Sequence, residues 1–425
     1  MKQIFGLFFI LICLSGCSKG QETNGEVPVI DIVNSIGNYQ RVYCSDLFSS
    51  MELIPLETRE ECLLNKIPFP HIIFDDNHIF INSNQFGNQE LYAFGRSGVF
   101  LNQIGKKGQG PGEYIYSSSF FLNSDRQTIF VEDLSQILEY DYRGNFIRGF
   151  KSILESGEGL FFNNYTYVED HVFVANARYK GYNPFDYCLI NSKGEVIKTF
   201  PNHAVENKNS TINSYSQGAL RPVRVKDRVY LKEITNDTIY VLKNRELQPA
   251  YVFGLGKYEY PFESIERFGP QQSFFLNAIR FIPASQFVVT ENFIFYHVTL
   301  PESVPKPKAK PRYRPLTNEK ASDDLAVYGI YNIEQHKNML LDTDDYFQKG
   351  IVNDLNGGLP FIPIYYAGNN VLVGIWWADD MKETLTDEYF TRQTIKDPQA
   401  HQKLKELLKK LKDDDNPVVV VAKLK

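Results

Sequence analysis

Hydrophobic and polar positions in this chain alternate with a period of two over most of its length. Short turns, usually carrying glycine, break the alternation. Residues 91–104 read LYAFGRSGVFLNQI: Tyr92 and Phe94 alternate with small or polar neighbours, Gly98 turns the chain, and a second run goes from Phe100 to Ile104. Alternation on both sides of a glycine turn is the pattern of a β-hairpin. The unit recurs at 138–150 (LEYDYRGNFIRGF, with Gly144 in the turn) and at 188–200 (CLINSKGEVIKTF, with Gly194). The three turn glycines stand 46 and 50 residues apart. A repeat of about 40–50 residues made only of strand and turn predicts a β-propeller with one blade per repeat.

Counting along the chain gives six blades. Blade one is expected at 71–104, with 71–74 as its innermost strand and 78–83 next. Blade two has strands at 119–122, 128–132, 137–141 and 146–150. Blade three covers 159–200 and blade four 217–253, where Asn244 stands in for the turn glycine. The mixed aromatic, Pro and Gly stretch at 258–277 breaks the period and reads as an insertion. Blade five uses 286–290, 292–299 and 326–333, interrupted at 301–324 by a loop that opens PESVPKPKAKPRYRP. A segment so rich in proline and lysine cannot pack a core and should be extended. Blade six begins near Phe361, with a tight turn at Asn369 and Asn370.

At 397–412, Leu404, Leu407, Leu408 and Leu411 fall at i, i+3, i+4 and i+7. That spacing predicts an amphipathic helix, with Asp397 as its cap and Pro398 in its first turn. Two strand-like stretches are left over, 52–57 before the first blade and 417–424 after the last. Propellers seal their ring by letting one terminus complete a blade begun by the other, which removes exposed edges. The expected fold is therefore all-β: a six-bladed β-propeller over 44–425, closed by its N-terminal and C-terminal strands, with one C-terminal amphipathic helix.

Composition agrees. Aromatic residues make up 14% of the 425, with 26 Tyr and 32 Phe, which is ample material for a β core. The net charge of −6 gives no electrostatic reason to expect nucleic acid as a partner. The first residues follow a different pattern. Lys2 precedes an apolar run from Ile4 to Leu14, then come Ser15, Gly16 and Cys17. A short apolar run ending in small residues is a secretory signal rather than a membrane span. Small residues directly before a cysteine resemble the bacterial lipobox, which implies a signal peptide at 1–16 and a diacylated Cys17. Residues 17–43 are then the lipidated end and a tether. Ser18 after that cysteine points to the outer membrane, with the leaflet open. The remaining cysteines, Cys44, Cys62 and Cys188, contain no C-x-x-C pair, which excludes a zinc knuckle or thioredoxin-type motif. Cys44 and Cys62 could pair as a disulfide, or stay as buried thiols.

Residues 105–114 read GKKGQGPGEY, four glycines and a proline in ten positions, a composition for irregular backbone and close approach. This stretch, together with NDTIY at 236–240, NDLNGGLPFIP at 353–363 and NPVVVVAKLK at 416–425, resembles the six-bladed β-propeller lipoproteins common in Bacteroidetes, relatives of the NHL-repeat propellers. The resemblance spans nearly the whole chain after the signal and implies a fold and a location, not a reaction.

For chemistry, no H-E-x-x-H, G-x-S-x-G or P-loop motif is present. Ligand-binding candidates are Lys106, Lys107, Gln109, Glu113 and Tyr114, where Tyr114 and Tyr116 could stack on a sugar ring. Arg178, Arg221 and Arg224 lie near other blade edges. The same loop can equally be a structural turn between blades, with Glu113 satisfying backbone amides. No cofactor is expected under the main reading. In analogy with NHL-type enzymes, His71, Asp75 and His171 near innermost strands could hold a divalent metal in the channel. The function expected is non-catalytic binding of a glycan, peptide or outer-membrane protein partner at one propeller face, with the membrane reached through Cys17. The alternatives are a metal-dependent hydrolase or lyase, and a scaffold or sensor subunit of an outer-membrane assembly.

Overall fold

The computed structural model describes residues 26–66, 71–85, 88–115, 117–133, 136–151, 160–169, 171–179, 185–201, 221–232, 237–259, 277–281, 287–308, 326–344 and 348–425. Two strands, β1 (Val29–Asp31) and β2 (Phe48–Pro55), precede the first blade. Blade one is β3 (Ile72–Phe74), β4 (His78–Gln85), β5 (Asn88–Gly95) and β6 (Phe100–Ile104). Blade two is β7 (Ser117–Asn123), β8 (Thr128–Asp133), β9 (Gln136–Asp141) and β10 (Phe146–Lys151). Blade three is β11 (Leu160–Glu169), β12 (Val172–Tyr179), β13 (Phe185–Asn191) and β14 (Val196–Pro201). Blade four is β15 (Val223–Val225), β16 (Arg228–Lys232), β17 (Thr238–Lys243) and β18 (Glu246–Gly254). In blade five, β19 (Arg280–Phe281) and β20 (Val288–Val289) share the inner edge of β21 (Phe293–Thr299), followed by β22 (Ala326–Asn332) and β23 (Lys337–Leu340). Blade six is β24 (Tyr365–Gly368), β25 (Val371–Trp376) and β26 (Val418–Leu424), with β2 as its outermost strand. The six expected blades are all present, in the expected order.

The repeat works because each sheet is buried on both faces. Ile79 and Ile81 of β4 pack with Val419 and Val421 of blade six. Phe80, between them, points the other way and packs with Phe120 and Ile129 of blade two. Phe121 and Phe173 continue the pattern between blades two and three, and Val172 and Leu231 between blades three and four. A strand apolar on both faces has no solvated side, so each blade is stable only against its neighbours.

Ring closure follows the expectation. β2 pairs antiparallel with β26, Glu52 opposite Val421 and Leu53 opposite Val420, and β25 flanks β26 on its other side. The turn of the next blade locks against this seam. Gly98, with φ +85°, lies so close to the Pro55 carbonyl that a Cβ would stand 2.1 Å from its oxygen. Gly144 meets the Gln103 carbonyl in the same way, at 2.4 Å. These turns need glycine for backbone angle and for space at once. In blade four Asn244 and Arg245 take φ of 52° and 61°, so Asn244 fills the turn role as expected.

The expected boundary of the tether at residue 43 falls earlier in the structure. β1 pairs in parallel with β18 as a fifth strand of blade four. The chain then crosses blade five, with Gln40 N donating to Leu340 O at 2.9 Å and Cys44 N to Val352 O at 2.8 Å. The orphan edges of blades four and five draw this segment in, because an unpaired strand edge leaves backbone groups without partners.

Helix α1 (Cys44–Leu47) leads into β2. Between β25 and β26 lie α2 (Ala378–Thr384), α3 (Asp387–Thr391) and α4 (Pro398–Lys410). The expected amphipathic helix is α4, capped by Asp397, whose carboxylate accepts from the Gln399 and Ala400 amides at 3.1 and 3.0 Å. Leu404 on its apolar stripe is fully buried against the propeller. The short helices α2 and α3 carry too few residues for a periodic signal and were not anticipated. Among the described residues no helix is long and apolar enough to cross a membrane. Cys44, Cys62 and Cys188 are free buried thiols, so Cys44 and Cys62 do not pair. The signal segment, Cys17, Tyr116 and most of 301–324 lie outside the described residues.

Candidate functional site

The innermost strands β3, β7, β11, β15, β20 and β24 surround a cavity of about 360 Å³ on the propeller axis. Because innermost strands all run the same way, the residues just before each of them gather at one end of this channel, and the turns that follow gather at the other. His71 and Arg221 precede β3 and β15 and line the first end; Asp75 and Asp76 follow β3 and line the second. Phe120, Phe121, Tyr165 and Tyr365 contribute aromatic walls between them.

His71 is 8% exposed, its ring lies 4.2 Å from that of Phe120, and its Nδ1 is buried without a hydrogen-bond partner. Burial holds its pKa well below the usual imidazole value, and the positive charge of Arg221 adds to the effect. Arg221 is itself lowered to about 10 by desolvation, against the opposing pull of the Glu132 carboxylate. Arg221 is half-buried and lines the cavity. Glu132, 3% exposed, accepts from the Asn164 amide at 3.1 Å.

The opposite end is built differently. Asp75 Oδ1 accepts from the amides of Asn77 (2.9 Å) and His78 (2.7 Å), so this carboxylate closes its own turn. Arg224 donates to the Tyr167 carbonyl at 3.1 Å and lies 5.3 Å from the centre of that ring. Both Tyr142 and Tyr365 have raised pKa values, first through burial and second through the Asp75 charge.

The sequence-derived candidates separate into two places. Arg221, Arg224, His71 and Asp75 all line the channel. Lys106, Lys107, Gln109 and Glu113 do not: their loop packs on the outer strands of blade two, where the Tyr140 hydroxyl donates to Gly112 O at 3.0 Å. Glu113 Oε2 accepts from the Gly110 amide at 2.8 Å, and a Cβ at Gly108 would strike that same oxygen. The structural-turn reading of this loop is the one the geometry supports. Tyr114 is fully buried, so it cannot stack on a ligand; its ring is needed inside the core between blades one and two. Arg178 lies on β12, and its side chain is outside the described positions.

His71, Asp75 and His171 are not brought together. His71 and Asp75 sit at opposite ends of β3, and His171 is exposed in the turn before β12, with its Nε2 3.3 Å from Arg126 Nη2. Among the described residues no group of three His, Cys, Asp or Glu side chains could hold a metal. Sequence reasoning missed Glu132, Phe120, Tyr165 and Tyr365. Three of these lie on innermost strands, and the signal available was position: any residue on a blade's first strand is a channel candidate.

His71 gives a pH prediction. In the unfolded chain it binds a proton near pH 6.5, whereas the folded protein keeps it neutral to well below that value. Below pH 6.5 the unfolded state then holds more protons, and stability falls as the pH drops, by up to about 1.4 kcal/mol per pH unit for this group. Urea unfolding at pH 7, 6 and 5 is expected to show a shallower pH slope for His71→Gln than for the wild type. Parallel slopes would contradict the burial of a neutral imidazole.

Residues 27–423 match the model of a family described as a domain of unknown function, DUF4934. Among solved structures the chain is similar to a "Putative exported protein" of Bacteroides fragilis, at 19% identity and a TM-score of 0.65 over 93% of this chain and 99% of that one. It is also similar to a DUF4221 family member of Bacteroides vulgatus, at 12% identity and a TM-score of 0.47 over 89% and 97%. The first likeness establishes a shared fold. No curated protein sequence matches the chain.

Proposed function

The chain belongs to the DUF4934 family, which assigns no chemistry, and from that premise we propose that it is an exported, lipid-anchored propeller that binds a small ligand without transforming it, inside its central channel. The observation that carries this reading is the cavity of about 360 Å³ framed by all six blades, walled by aromatic rings and polar at both ends. Pockets of that size with placed polar groups suit small ligands. A rigid ring of blades holds such groups in place without further ordering on binding, which favours affinity.

Two of the acidic groups near the cavity serve the fold: Asp75 closes its turn and Glu132 accepts a backbone amide. That allocation favours binding over acid–base turnover. Export is supported by the apolar leader and by the name of the similar Bacteroides fragilis protein, and anchoring by the ending Leu14-Ser15-Gly16-Cys17 of that leader. The outer membrane is the proposed location.

The test is a thermal-shift screen of sugars, sugar acids, aromatic acids and short peptides against the wild type and Thr166→Trp, which places an indole in the cavity from β11. Ligands that stabilise the wild type are expected to leave Thr166→Trp unshifted while its ligand-free melting stays close to wild type. Equal shifts in both proteins would move the binding site off the axis. The anchor fails separately if Cys17→Ala still fractionates with membranes.

A further inference from the structure

Two polar side chains at the first end of the channel lack a hydrogen-bond partner among the described residues. Among the described residues no hydrogen bond or ion pair engages Arg221, and the Glu132 charge that opposes its desolvation already has its Oε2 on the Asn164 amide. His71 Nδ1, on the same lining, is buried and unpartnered. A desolvated cation and a buried ring nitrogen left without partners are costly, and buried polar groups in folded proteins are nearly always satisfied. Resting on the channel as the binding site, we propose that Arg221 and His71 seat the carboxylate of a small ring-bearing acid.

The charge count selects the head group. One guanidinium, with a neutral imidazole beside it and the Glu132 carboxylate nearby, suits a head group of one negative charge better than two. The planar fork of Arg221 fits the two oxygens of a carboxylate side by side, and His71 Nδ1 completes the set in the tautomer that carries the ring hydrogen there. The space selects the body. Tyr365 on the lining is only half-buried and suits an aromatic ring or the apolar face of a sugar, whereas Phe120 and Tyr165, 2% and 4% exposed, belong to the cores between blades. An aromatic acid and a uronic acid share this chemistry, and matched probes separate them.

The experiment is isothermal titration of the full chain with 4-hydroxyphenylacetate against 4-hydroxyphenylacetamide, and with galacturonate against galactose. One acid is expected to bind at least about tenfold more tightly than its neutral partner, and Arg221→Gln to weaken that acid by at least about tenfold. Should Arg221→Gln fail to fold, the acid-to-neutral ratio in the wild type still decides. Equal binding of acid and neutral probe, unchanged affinity in a folded Arg221→Gln, displacement of the acid by lower concentrations of inorganic phosphate, or no binding of either acid at millimolar concentration would each overturn the carboxylate seat. The channel reading survives those results if other screened ligands still lose their effect in Thr166→Trp, and falls if they do not.

Discussion

Deleting residues 416–425 is expected to yield a chain that no longer unfolds cooperatively and is recovered largely as aggregate. The deletion removes all of β26, the only strand that joins β25 to β2 among the described residues. Val418, Val419, Val420, Val421 and Leu424 are each 7% exposed or less. Burying such a side chain contributes about 1.5–3 kcal/mol, so five of them rival the roughly 5–15 kcal/mol by which a native domain is stable. The loss does not stop at blade six. Val419 and Val421 also face Ile79 and Ile81 of blade one, so the ring opens at its seam and exposes two strand edges. Circular dichroism during urea titration checks this. A truncated protein with the wild-type midpoint would show that the two termini do not hold the ring.

Asn416→Ala is expected to cost about 3–5 kcal/mol without removing any strand. Asn416 is 2% exposed and sits just before β26. Its Nδ2 donates to Glu57 O at 2.7 Å and to Cys62 O at 2.9 Å, and its Oδ1 accepts from Leu64 N at 2.8 Å. One side chain thus stitches the segment after β2 to the approach of the last strand. Alanine leaves three backbone groups without that partner, each at about 1–3 kcal/mol if it stays buried. Partial access of water to Leu64, which is half-buried, keeps the total below the sum. Urea unfolding measures the change; a shift under about 1 kcal/mol would mean that water replaces the amide at this junction.

The hairpins were legible because their signals are local. Alternation at Tyr92 and Phe94, glycines at 98, 144 and 194, and the leucine spacing of α4 all act within a few residues. Closure by 52–57 and 417–424 could be inferred because a propeller with a spare strand at each end has few ways to hide both. The register at Glu52 and Val421 could not, since it is set by packing against blade one. β1 escaped notice for a related reason: three residues, Val-Ile-Asp, carry no period, and their parallel pairing with β18 joins positions more than 200 residues apart. The glycine loop at 105–114 drew attention as a site because its composition permits close approach. The structure shows what approaches: Tyr140, Phe146 and Glu113. Arg221 and His71 were each singled out from the sequence, under different chemistries. Only the ring brings them to one end of the channel, because their neighbourhood is made by blades one and four, on opposite sides of the axis.

The most direct measurement of the central claim is a crystal structure of the protein grown with the acid that titrates best. Ligand density is expected on the propeller axis, with its carboxylate on Arg221 and His71 and its ring against Tyr365. Density on the outer loop at Lys106 to Glu113, with the channel unchanged, would contradict it.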